Sequence, residues 1–138
     1  MPRDLVVELR DYDVQTNGSP FTSVFYKLGE VAASQPGWRH FQVTIDDTAS
    51  TALPTGWQGY NSGTIGLPQG SSFASILSGV DEIVFTSMTP YYFYGPAVMD
   101  VAVDNVSISA VPEPASGAML LGGLGVIGAC VRRRKEAA

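Results

Sequence analysis

The chain has 138 residues and a formal net charge of −5, a length that fits one domain. Only 15% of its residues are charged, while 15 are glycine and 9 are proline. This composition excludes a coiled coil or helical bundle and favours short strands joined by turns. A single cysteine and a single histidine exclude an internal disulfide framework and metal sites that need several cysteines or histidines.

Charge is divided unevenly along the chain. Residues 1–111 hold four basic and eleven acidic side chains, whereas residues 132–135 are all basic. Because the acidic part has no cluster of cations to neutralise phosphates, we expect no nucleic-acid partner.

The first part of the body alternates between strand and turn signals. Residues 5–10 and 21–28 are rich in β-branched and aromatic side chains, and the turn-forming run Asn-Gly-Ser-Pro at residues 17–20 separates them. Apolar side chains alternate over residues 38–45, which predicts a third strand. Residues 46–60 contain proline and glycine at short intervals and are predicted to form a loop.

A short helix is predicted over residues 71–78, because Phe73, Ile76 and Leu77 follow helical spacing and Gly79 comes next.

The end of the body is predicted to contain two more strands around an aromatic loop. The strands cover residues 80–88 and 97–110, and the loop of residues 90–96 contains three tyrosines and a phenylalanine between prolines. Apolar alternation slips near Asp104 and Asn105, so a β-bulge is expected there. These elements predict a mostly-β antiparallel sandwich, and their order loosely resembles the second half of a jelly roll.

The C-terminal tail, residues 111–138, is predicted to be a separate segment in three parts. Val111-Pro112-Glu113-Pro114 is held extended by its prolines, and residues 115–131 contain no charge. As a helix, that apolar run is about 25 Å long, at the short end of the range for a transmembrane helix. Its basic end, Arg132-Arg133-Arg134-Lys135, predicts a cytoplasmic stop. The five glycines in the apolar run weaken it as a permanent anchor.

This arrangement over residues 111–135 resembles the PEP-CTERM protein-sorting signal, a tail also labelled an ice-binding protein C-terminal segment. The resemblance implies recognition by exosortase, a membrane cysteine protease or transpeptidase. It also implies a precursor held transiently in the inner membrane, then export to the cell surface or exopolysaccharide matrix.

Residues 1–8 contain no apolar run long enough for a secretion signal. The expectation is therefore that translation starts upstream and that residues 1–110 are a jelly-roll-like body incomplete at its N-terminus. In that case the apolar residues of 5–9 and 21–28 lack packing partners.

Aromatic side chains are the candidates for contact with glycans, because flat rings stack on the C–H faces of sugars. The alternative is that the tryptophans pack in the core or anchor loops. The five candidates are Trp38, Trp57, Tyr91, Tyr92 and Tyr94.

Asp104 is a candidate calcium ligand together with other scattered acids, although no calcium-binding loop motif supports it. The sequence contains no Gly-x-Ser-x-Gly nucleophile motif with which His40 could act, so His40 is interpreted as a surface histidine. We therefore expect no cofactor and no enzymatic activity.

The sequence predicts an exported, non-enzymatic surface or matrix protein with an exosortase-recognised tail, whose apolar part contacts membrane lipid. The alternative is a carbohydrate-binding module, as a fragment of a larger glycan-active protein. A third interpretation is a C-terminally anchored membrane protein that is not processed.

Overall fold

The computed structural model describes residues 2–16, 18–96 and 100–109. The chain divides into two compact units, Met1–Asp100 and Val101–Ala138. The described helix and strands all belong to the first unit and are β1 (Arg3–Asp11), β2 (Thr22–Val31), β3 (Trp57–Asn61), β4 (Thr64–Ile65), α1 (Phe73–Ser78) and β5 (Glu82–Thr86).

The strands form one antiparallel sheet with the order β4-β3-β2-β1-β5. The mostly-β antiparallel prediction is therefore confirmed, and β1, β2 and β5 lie where the sequence places strands. A second sheet, which a sandwich requires, does not occur among the described residues. In β1 the register against β2 shifts between Leu5 and Val6, which marks a β-bulge.

One face of the sheet carries the hydrophobic core. Val7 and Leu9 of β1 lie on this face with Val24 of β2, because side chains alternate along each strand. The core is completed by Trp57 of β3 and by Phe73 and Ile76 of α1.

The helix α1 confirms the prediction for residues 71–78. Its N-terminus has a capping box, in which the Ser72 side chain accepts from the Ser75 backbone N–H and the Ser75 side chain accepts from the Ser72 N–H. Phe73 and Ile76 are fully buried, which fixes the short helix against the sheet.

Two sequence predictions between β2 and α1 are wrong. Residues 38–45 contain no strand, although Val43 and Ile45 still pack against the core. The end of the predicted loop instead holds β3, which pairs with β2 from Thr22↔Asn61 to Tyr26↔Trp57. Alternation predicts which side chains turn inward, but it does not reveal whether a neighbouring strand is available to pair.

The expectation that the first two strands lack packing partners is also wrong. Leu5, Val6, Val7 and Leu9 are buried, and so are Val24 and Phe25.

Residues 100–109 form no strand, so the predicted strand over 97–110 is wrong where the structure describes it. The side chains of Val101, Val103, Val106 and Ile108 are exposed, and without a strand there is no bulge at Asp104. Asn105 instead has a left-handed backbone, with φ of 52°. Among the described residues, no helix has the length and apolar character needed to cross a membrane. The predicted span 115–131 lies outside the described residues.

Candidate functional site

The loop of residues 90–96, here called the aromatic loop, follows β5 and carries three of the four most exposed aromatic side chains among the described residues. A turn closes its start, with the Tyr92 N–H donating to the Thr89 carbonyl at 3.2 Å. Tyr91 has a φ of 75°, a left-handed conformation that costs a non-glycine residue about 1–3 kcal/mol. The rings of Tyr91 and Tyr92 meet edge to face with centroids 6.2 Å apart.

One carboxylate tethers this region to the sheet. The Oδ2 atom of Asp4 in β1 accepts hydrogen bonds from Thr89 Oγ1 at 2.8 Å and from the Tyr94 hydroxyl at 2.6 Å. Its Oδ1 atom pairs with Lys27 Nζ at 2.7 Å. We call these four residues the Asp4 clamp. Arg3 adds to it, because its guanidinium stacks over the Tyr94 ring and donates to the Gly95 carbonyl.

The clamp changes the acidity of its members. Burial favours a higher pKa for Asp4, but hydrogen bonds from Lys27, Tyr94 and Thr89 outweigh that effect and hold the pKa below its ordinary value. The same pairing raises the pKa of Lys27. Asp4 is therefore ionised, and the clamp is closed, at neutral pH.

A cleft of about 240 Å³ opens between the aromatic loop and the sheet face opposite the core. β1 contributes Glu8 and Arg10 to it, because alternation places them on the face opposite Val7 and Leu9. The remaining lining residues come from β3, β5, the turn before β2 and the loop after β5: Phe21, Tyr60, Thr86, Met88, Thr89, Pro90, Tyr91 and Tyr92.

The charged lining of the cleft is an ion pair between buried Glu8 and half-buried Arg10. The carboxylate of Glu8 is nearly inaccessible and accepts from Arg10 Nε at 3.0 Å, Arg10 Nη2 at 2.8 Å and Ser23 Oγ at 2.6 Å. The Arg10 guanidinium stacks on the Phe21 ring at 4.4 Å and also reaches Glu82 at 3.2 Å. Partial burial favours a lower pKa for Arg10, but Glu8 and then its other partners raise it. This network fixes the polar groups of the cleft in one geometry.

Of the five predicted glycan contacts, only Tyr91 and Tyr92 line the cleft. Trp57 is 6% exposed and packs between Tyr26 and Phe73. It is therefore a core residue, which was the alternative for the tryptophans, and not a glycan contact. Trp38 is 74% exposed but lies outside the lining of the cleft. Tyr94 serves the Asp4 clamp instead.

The remaining candidates from the sequence are Asp104 and His40. Both side chains are exposed, and neither residue lies in a helix or a strand. In the part of the chain that the structure describes, no three acidic, histidine or cysteine side chains gather into a group that could hold a metal ion. The role of Asp104 as a calcium ligand therefore stays a prediction.

Sequence reasoning missed Asp4, Glu8 and Arg10. A signal was available, since within residues 4–10 the three charged side chains all stand at even positions among apolar ones, and such positions in a strand share one face. The contribution of Tyr60 had no such signal, because it depends on the pairing of β3 with β2.

The sorting residues Val111 to Pro114 and the basic run of residues 132–135 lie outside the described residues. A comparison with protein-family profiles matches residues 110–135 to the PEP-CTERM protein-sorting motif, which confirms the resemblance. No curated protein and no solved structure matches the chain. The matched motif implies recognition by exosortase, processing at a membrane and export to the cell surface.

Proposed function

Because the chain carries a PEP-CTERM protein-sorting motif at residues 110–135, we propose that it is an exported, non-enzymatic protein of the cell surface or extracellular matrix. Exosortase recognises Pro112-Glu113-Pro114, and residues 115–131 contact membrane lipid until the tail is removed. The mature body then associates with exopolysaccharide. The proposal needs no cofactor.

Physical chemistry of the tail supports processing rather than permanent anchoring. Two prolines within three residues disfavour helix and keep residues 112–114 extended, the form in which a protease cleft accepts a chain. The charge of Glu113 keeps this segment at the outer interface rather than in the hydrocarbon. The five glycines behind it each weaken a helix by about 1 kcal/mol relative to alanine.

Replacing Pro112, Glu113 and Pro114 by alanine tests this function. The chain is fused to a secretion signal and expressed in a host that has an exosortase, and intact mass is measured for membrane and matrix fractions. The unaltered tail should lose residues 115–138, about 2.4 kDa at roughly 100 Da per residue, and the triple variant should stay uncut in the inner membrane. The control is Glu136→Ala, which removes a tail carboxylate outside the matched motif. Normal processing of the triple variant would refute the proposal.

A second candidate function, carbohydrate binding, is favoured by the aromatic loop. Tyr91 is 64% and Tyr92 59% exposed while both line a cleft, and exposed aromatic faces beside fixed polar groups suit a sugar. A glycan array probed with the full chain separates this function from a purely structural matrix role.

A further inference from the structure

We infer that the cleft between the aromatic loop and the outer sheet face is a subsite for one neutral sugar ring. This inference rests on the second candidate function and assigns it a place and a ligand charge. Three features of the cleft carry it: its size, its mixture of groups and its charge.

The size of the cleft limits the ligand. At about 240 Å³, it is smaller than the roughly 300–1,000 Å³ typical of sites for drug-sized molecules. A single ring in an open cleft fits this volume, and the open side leaves room for a chain to continue. A terminal or internal residue of a polysaccharide is such a ligand.

The lining pairs apolar faces with fixed polar atoms. Tyr91 and Tyr92 come from the loop, while Tyr60 and Phe21 come from the sheet side with ring centroids 6.4 Å apart. Between them, the half-buried side chain of Arg10 presents its guanidinium, which the buried Glu8 carboxylate holds in place at 2.8 Å. The guanidinium N–H groups that Glu8 and Glu82 leave free donate to hydroxyl oxygens of a sugar, and the C–H faces of the ring match the aromatic walls.

The charge of the cleft selects against acidic sugars. Among the described residues that line the cleft, Arg10 is the only cation, and it is already shared by the carboxylates of Glu8 and of neighbouring Glu82. These three groups sum to one negative charge, so an added uronate would meet repulsion.

The aromatic loop is held in place before any ligand arrives. Asp4 binds Thr89 and Tyr94 on either side of Tyr91 and Tyr92, and the turn bond at Thr89 closes the loop between them. A loop that is already ordered loses less entropy on binding, which favours affinity for a small ligand.

The test measures saturation-transfer NMR of the full chain, kept in a detergent without a sugar headgroup. The probes are the methyl glycosides of glucose, galactose and mannose, with D-glucuronate as the anionic comparison. At least one neutral glycoside should show transfer to its ring C–H protons, and glucuronate should show markedly less. Tyr91→Ala and Tyr92→Ala should each weaken binding about tenfold, whereas Tyr92→Phe keeps the ring and should retain it.

The matched control is Phe93→Ala, because Phe93 is 97% exposed in the same loop but does not line the cleft. Its affinity should equal that of the unaltered chain. An equal loss in Phe93→Ala, a preference for glucuronate, or no transfer to any neutral glycoside would each overturn the subsite. Polysaccharide binding that survives both tyrosine changes would also overturn it, while leaving carbohydrate binding itself intact. Tail processing does not involve the cleft and is judged separately by mass.

Discussion

At the residue scale, the Asp4 carboxylate controls where the aromatic loop lies. Its pair with Lys27 is weak, because the Lys27 side chain is 47% exposed and such pairs contribute about 0.2–1 kcal/mol. Hydrogen bonds to a charged group in a less exposed site contribute about 1.5–3 kcal/mol. It is the hydroxyls of Thr89 and Tyr94, not the ammonium of Lys27 in β2, that tie the loop region to Asp4.

We predict that the aromatic loop loosens in acid and that Asp4→Asn removes this dependence. The pKa of folded Asp4 lies below its ordinary value of 3.8, so the clamp stabilises the fold above that pH. The stabilisation is lost as pH falls through the lower, folded pKa. Near-ultraviolet circular dichroism of the tyrosines should change over that range in the unaltered chain, but not in Asp4→Asn.

Asp4→Asn should also lower the free energy of unfolding at neutral pH by about 1–2 kcal/mol. The matched control is Glu30→Gln, which removes the other carboxylate on Lys27 but no bond to the aromatic loop. Glu30→Gln should retain the acid transition of the loop. An Asp4→Asn variant that keeps the same transition would show that another group controls it.

At the element scale, β3 depends on a close approach that only glycine permits. A Cβ atom added to Gly59 would lie 2.8 Å from the carbonyl carbon of Gly66 and 2.9 Å from the side chain of Leu67. The Gly66 N–H donates to the Gly59 carbonyl at 2.7 Å, which draws the two backbones together. Glycine within a strand marks this kind of contact.

Gly59→Ala should therefore destabilise the fold by about 1–3 kcal/mol, the usual cost of forcing extra volume into a packed site. Chemical denaturation of the full chain measures this change. The control is Gly95→Ala, since a Cβ there would meet no described atom within 4 Å and Gly95 has no positive φ. Equal stability of the two variants would mean that Leu67 and the β4 turn yield freely to the added methyl group.

The same elements explain which parts of the fold the sequence could predict. β1, β2 and α1 carry local patterns of alternation, helical spacing and capping, so their positions follow from neighbouring residues. β3 was missed because Gly59 signals a loop unless its distant partners are known. The cleft shows the same limit: Tyr91 and Tyr92 stand out as exposed candidates, whereas the place of Tyr60 in the lining of the same cleft depends on the sheet order.

At the scale of the whole molecule, the charge distribution distinguishes the acidic body from the basic end of the tail. Residues 1–111 are acidic, and the four cations of residues 132–135 stand together after the apolar run. Positive charge beside an apolar segment holds that side in the cytoplasm, whereas acidic side chains contribute little to orientation. The body is therefore expected to face outward while the tail is in the membrane.

The last prediction follows from this asymmetry. Replacing Arg132, Arg133, Arg134 and Lys135 by glutamine should allow the C-terminus to leave the cytoplasm, because positive charge beside the apolar run is what sets its orientation. In the secreted fusion, a C-terminal reporter that works only in the cytoplasm should lose activity, and less precursor should be retained in the membrane. Replacing the three arginines by lysine preserves the charge and should preserve both readouts. If the glutamine variant keeps its topology and processing, the apolar run alone orients the tail and the basic residues are not the stop.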